Sequence, residues 1–111
     1  VHKRVVWLAT ARKDVPALAD DARARTGYEL YRVQQGLDPT DWKPRNRVGD
    51  GVWEIRIRTT RQHRVLYVAK FADAVYVLHA FAKKTRRTSR LDLELGRKRY
   101  RELMSRRRRS R

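Results

Sequence analysis

The sequence predicts an α+β domain: a small, mostly antiparallel sheet holding helices from the N-terminal half, with a C-terminal helix packed beside it. Three observations predict it. Runs of strand length, alternating or apolar on both faces, cluster in the middle of the chain at Val52–Arg58, Arg64–Phe71 and Val75–Ala82. Segments with apolar residues at three- and four-residue spacing flank them at 14–35 and 89–104. A compact β-branched and aromatic run stands first, so the order reads β-α-α-β-β-β-α.

Taken in order, Arg4-Val-Val-Trp-Leu-Ala9 is a first strand of about five residues. Asp14 can cap a short helix with Val15, Leu18, Ala19 and Ala22 at helical spacing and Pro16 tolerated in its first turn. A second amphipathic run, Asp20 to Gln35, places Ala24, Tyr28, Tyr31 and Val33 near one side, with Gly36 as its stop. Two antiparallel helices and one bent helix fit these runs equally well. Residues 36–51 concentrate Gly, Pro and Asp and read as one long loop.

In Val52–Arg58, Trp53, Ile55 and Ile57 point one way and Glu54, Arg56 and Arg58 the other, as in a half-buried strand. Arg64–Phe71 and Val75–Ala82, joined by Ala72-Asp73-Ala74, read as a hairpin of central strands covered on both sides. Ser89 then precedes a helix whose stripe is Leu91, Leu93, Leu95, Tyr100, Leu103 and Met104. One domain over 1–104 results. The Arg-rich residues 105–111 lack an apolar anchor and are expected to form a frayed basic tail.

Composition narrows the chemistry. The chain has 111 residues, enough for one core, and its 29 Lys and Arg against 12 Asp and Glu give a net charge of +17. An acidic partner is the first expectation. The charge is uneven, since residues 83–111 hold 14 of the basic groups against 3 acids. With no cysteine, disulfides, thiolate metal sites and cysteine nucleophiles are excluded. No apolar run approaches the ~20 residues of a membrane span, and nothing resembles a signal peptide, so a cytoplasmic protein that avoids membranes is expected. Dinucleotide, phosphate-loop, zinc-protease and serine-hydrolase motifs are missing, and His2, His63 and His79 are scattered. No metal and no cofactor is expected.

What remains is a set of polar groups carried on strands. Glu54, Arg56 and Arg58 share a face by period-two geometry, the next strand brings Arg64 within reach, and Lys83 and Lys84 end the last strand beside Arg86 and Arg87. Alternating charges on a strand are by default a solvated outer face. Metal-independent RNA cleavage would nonetheless suit the set. A 2′-hydroxyl attacking its own phosphate needs a base, positive charge at the phosphorane oxygens, and an acid or charge at the leaving 5′-oxygen. Glu54 fits the base, Arg56 and Arg64 a phosphate clamp, and Lys83 or Lys84 the leaving-group side. Further RNA contacts are assigned to Arg58, Lys43, Arg86 and Arg87, to Trp42 as a stacking platform in the loop, and to His79 as a secondary candidate whose default reading is a hydrogen-bonded core group.

Three pieces, Gly51-Val-Trp-Glu-Ile-Arg-Ile-Arg58, Arg64-Val-Leu-Tyr67 and Val77-Leu-His-Ala-Phe-Ala-Lys-Lys-Thr85, occur in an order that resembles the RelE/HigB-like toxins of bacterial toxin–antitoxin systems, nearest the phage-derived HigB-type branch. The likeness runs over most of residues 4–104. It implies a RelE/ParE-like fold and a ribosome-dependent endoribonuclease that cuts mRNA in the ribosomal A site. It also implies a cognate antitoxin, in the HigB case often a helix-turn-helix, HigA-like protein. By the same resemblance Arg56 and Arg64 match phosphate-contacting positions, Lys83 and Lys84 the basic end of the last strand, and Glu54 the acidic position of this branch. The segment Thr85-Arg-Arg-Thr-Ser-Arg90 lacks the tyrosine or histidine that several relatives carry there. Two alternatives belong to other classes: a non-enzymatic ParE-like toxin that inhibits a topoisomerase, and a plain basic nucleic-acid-binding module.

Overall fold

A computed structural model describes residues 3–9, 11–14 and 18–109. The elements are β1 (Arg4–Trp7), α1 (Ala11–Asp14), α2 (Asp20–Gln34), β2 (Trp42–Pro44), β3 (Val52–Arg58), β4 (Gln62–Val68), β5 (Ala74–Lys83) and α3 (Arg90–Arg109). The sheet order is β1-β5-β4-β3-β2. β1 runs parallel to β5, and every other pairing is antiparallel. The expected α+β class holds, with one strand more than the sequence order shows.

β3 and β4 pair from Val52↔Val68 to Arg58↔Gln62, so the alternation of β3 is carried onto β4 residue by residue. Ile55, Ile57, Val65 and Tyr67 share one sheet face with Val75, Val77 and Ala80, under Leu30 and Val33 of α2. Val52, Leu66, Val68, Tyr76 and Leu78 share the other, under Leu103 of α3. Gly96 permits the close approach there, since a Cβ at that position would sit 2.7 Å from a Leu66 methyl.

The β4–β5 register slips at Leu66/Tyr67, where Leu66 opposes His79 but Tyr67 opposes Val77. Leu78 is thus the extra residue of a bulge, and a bulge reverses which side chains face which way. Before it, Ala74, Tyr76 and Leu78 face α3; after it, Phe81 does, while Ala80 faces α2. By continuation Lys83, paired with Gln62, stands on the α3 side, in line with Arg64 opposite Phe81.

Several expectations are corrected. Asp14 ends the four-residue α1 and does not cap a longer helix; Val15 and Pro16, like His2, lie outside the described residues. α2 is a separate helix whose acidic first turn, Asp20 and Asp21, complements its dipole. It ends as expected at Gly36, which takes φ +84° while its N–H bonds Val33 O and that of Leu37 bonds Arg32 O. Its buried side, however, is Ala22, Thr26, Glu29, Leu30 and Val33, and Tyr28 and Tyr31 stand 51% and 56% exposed. Thr26 and Glu29 tolerate burial because they are bonded: Thr26 Oγ1 donates to Ala22 O, and Glu29 accepts from Thr40 N–H and Oγ1–H. The 36–51 loop contains β2. The expected tail is helical as far as Arg109, and residues 110 and 111 are not described.

Candidate functional site

The site grows from one buried carboxylate. Glu54 has 0% exposure in the middle of β3, on the α3 side of the sheet. A carboxylate stripped of water needs charged partners. Arg45 reaches it from just after β2, with Nε 3.1 Å from Oε1 and Nη2 3.3 Å from Oε2. Arg64 of β4 adds Nε at 3.6 Å from Oε2. Thr88 Oγ1, beyond β5, accepts from Arg45 Nη2 at 3.0 Å and lies 3.5 Å from Glu54 Oε1. Segments far apart in sequence are thereby tied to one anion.

Around this knot lie the other cations. Lys43 stands opposite Glu54 in the β2–β3 register, on the same face. Arg56, 30% exposed, donates its backbone N–H to Asp41 O at 2.8 Å and holds a guanidinium nitrogen 3.6 Å from Asp41 Oδ1. Burial pushes the Lys43 ammonium below its ordinary value, and neighbouring Arg45 and Arg56 lower it further against the pull of Glu54. Lys83 is lowered in the same way, by burial first and then by Arg64. Both lysines feel Arg45, Arg56 and Glu54, so the two stand in one shared field. Between them lies a hollow of about 300 Å³ lined by Lys43, Arg45, Lys83, Arg86, Arg87 and Thr88 among others.

The structure thus brings together Glu54, Arg56, Arg64, Lys43, Lys83, Arg86 and Arg87. Two of them are not placed as their sequence roles require. Glu54 is closed to solvent with both oxygens turned to guanidinium groups, so a substrate hydroxyl has no path to it. Arg64 is 4% exposed, and its guanidinium bonds His63 O at 3.0 Å and Gln62 Oε1 at 2.9 Å. Burial lowers its pKa, and Glu54 opposes that shift. Arg64 is a strut of the cluster rather than an open clamp.

The remaining candidates lie elsewhere. Arg58 is exposed at the hairpin end of β3. Lys84 follows β5, exposed, and lines a different cavity together with Lys83. Trp42 pairs with Ile55 and packs edge to face on Trp53 at 4.6 Å, so it stands on the α2 side of the sheet, away from the cations. His79 is buried between two carboxylates. Arg45 was missed by sequence reasoning because it sits in a segment read as loop; the one available signal was a cation flanked by Lys43 and Arg47 in a turn-rich stretch.

Among the described residues, no group of three or more metal-ligating side chains is placed to hold an ion, and no helix is long and apolar enough to cross a membrane. The family model for phage-derived Gp49-like proteins (DUF891) matches residues 13–101, most of the chain and every element from β2 to β5. The chain belongs to the Gp49-like family. This is a toxin-like family of toxin–antitoxin systems, and membership implies a cognate antitoxin partner. No curated protein matches the sequence. The Gp49-like match contains Lys43, Arg45, Glu54, Arg56, Arg64, Lys83 and Thr88, so the whole knot lies inside the family's domain.

Proposed function

We propose that this Gp49-like chain is the toxin of a type II toxin–antitoxin system and acts as a HigB/RelE-type endoribonuclease on ribosome-bound mRNA. The observation that carries the reading is the shared hollow: lysines with lowered pKa and arginines converge on one open concavity, organised by a carboxylate that is itself out of reach. A cationic concavity of this kind suits a phosphodiester backbone.

The 2′-oxygen forms a bond to its own phosphorus, the bond from phosphorus to the 5′-oxygen breaks, and the products are a cyclic phosphate and a 5′-hydroxyl. The 2′-hydroxyl proton leaves to solvent, and the ammonium of Lys83 or Lys43 gives a proton to the leaving oxygen. Arg86 and Arg87, which line the hollow, stabilise the charge gathered on the phosphorane, and Arg56 adds its positive field from beside it. Glu54 and Arg64 hold the cations in place.

The test is cleavage of a defined message in a translating extract, with ends mapped by primer extension. Lys83→Met and Arg56→Ala, each verified as folded, should cut at least about a hundredfold more slowly, the scale for losing one preorganised charge. Growth arrest with intact messages and damaged DNA would replace this reading with topoisomerase inhibition. RNA binding without cleavage would leave a simple binding module.

A further inference from the structure

Lys83 borders two concavities. Beyond the cationic hollow, a larger cavity of about 600 Å³ opens between the end of α1, the second half of β5 and the start of α3. Lys83 and Lys84 line it where β5 ends, and Asp14 and Asp92 line it where α1 ends and α3 begins, an anionic pair in a chain whose net charge is +17. Between them stands His79, with Nδ1 3.2 Å from Asp14 Oδ2 and Nε2 2.7 Å from Asp92 Oδ1. Arg99 Nη1 reaches Asp14 Oδ2 at 3.4 Å and Leu78 O at 2.7 Å. Three elements are thereby pinned to one ring. Asp92 is held further by Ser89 Oγ, which accepts its backbone N–H at 3.1 Å.

The arrangement is specific in what it offers. The rings of His79 and Phe81 stack on each other at 4.7 Å and 23°, which fixes the plane of the imidazole between the two aspartates. His79 engages one oxygen of each aspartate, and both side chains remain about a quarter exposed, at 25% and 28%, so each has acceptor capacity left for a ligand. A phosphate is repelled beside the aspartates and welcomed beside the lysines. The fitting occupant is planar, presents N–H donors at one edge and trails a phosphate at the other.

We propose that this cavity receives a nucleobase carrying an exocyclic amino group, from a nucleotide next to the phosphate held at Lys83, and that Asp92 is its specificity-determining residue. Adenine N6, cytosine N4 and the N1 and N2 edge of guanine all donate to a carboxylate; uracil turns carbonyl oxygens on either side of its single N–H and is disfavoured. The substrate strand in this inference rests on the RNA-cleaving reading above, but the base selectivity can be measured without cleavage.

Two arms test it. In the first, adenosine 5′-monophosphate and uridine 5′-monophosphate are titrated separately into isotope-labelled protein, with the His79 side chain and the Asp92 amide followed by NMR. The adenine nucleotide should shift both signals and bind about tenfold more tightly than the uridine one, the discrimination of one good base contact. Asp92→Asn, which supplies a donor as well as an acceptor, should erase that ratio. Lys84→Met, which keeps the aspartates and removes a cation from the phosphate side, should weaken both nucleotides alike. Equal shifts from the two nucleotides, or shifts confined to the Lys43 hollow, overturn the proposal. In the second arm, cleavage sites in the translating extract should flank amino-bearing bases for the wild type and spread to uridines for Asp92→Asn. Cleavage without base bias in either protein also overturns it. Base-selective shifts with no cleavage by the wild type would support the cavity's role and overturn the nuclease reading alone.

Discussion

The two faces of the sheet solve different problems. On the α2 side, Ile55, Ile57, Val65, Tyr67, Val75 and Val77 form an apolar layer, and the polar groups that helix buries are each hydrogen-bonded close by. On the α3 side an apolar half around Leu66, Val68 and Leu78 gives way, within the same strands, to Glu54, Arg56, Arg64 and Lys83. The first face is closed by packing. The second is closed by a helix only in part and continues as a charged surface held by one buried anion. The difference teaches that burial here serves two ends, cohesion on one face and the aiming of cations on the other.

The largest effect that would break this contrast is removal of the anion. Glu54→Ala leaves Arg64 buried without its carboxylate and should cost about 3–5 kcal/mol in a urea melt, the range for breaking a buried pair. Ile55→Ala, next to it on the other face, should cost about 2–5 kcal/mol by cavity formation. The two variants would differ in salt response. The buried Glu54–Arg64 pair itself is screened little, but without Glu54 the part-exposed Lys43, Arg45, Arg56 and Lys83 repel one another unopposed, so added salt should reduce the Glu54→Ala deficit and leave the Ile55→Ala one nearly unchanged.

A smaller effect sharpens the comparison through pH. His63, on the α2 side, is 3% exposed, and burial holds its pKa below the ordinary 6.5. As pH falls through 6.5 the unfolded chain therefore takes up its proton before the folded one. Stability from the neutral buried ring is full above that pH and declines below it. His63→Phe should flatten this part of the stability profile below pH 6.5, as read by thermal melts. An unchanged slope would mean that other groups dominate it.

The smallest effect belongs to the outer face of α2. Tyr28→Ser and Tyr31→Ser should each leave stability within about 0.5 kcal/mol, as expected for exposed side chains. A loss near 2 kcal/mol would show that these tyrosines are covered in the isolated protein.

The sequence by itself determined the class of fold, the charge, and the common face of Glu54, Arg56 and Arg58. Two-residue alternation is a property of the strand alone and needs no partner. It also located the basic end of β5 and the stop of α2 at Gly36. Only the tertiary structure decided that Arg45 meets Glu54, that β2 extends the sheet, and that Asp14 and Asp92 flank His79, because each joins segments distant along the chain. The orientation of α2 belongs with these. A helix whose tyrosines and alanines could pack inward instead buries Thr26 and Glu29, since Glu29 finds its donors on Thr40, after the helix has ended. The bulge at Leu78 decided that Lys83 rather than Lys84 joins the cluster. One extra residue against β4 reverses every later side chain, and nothing local in Val77-Leu-His-Ala announces it.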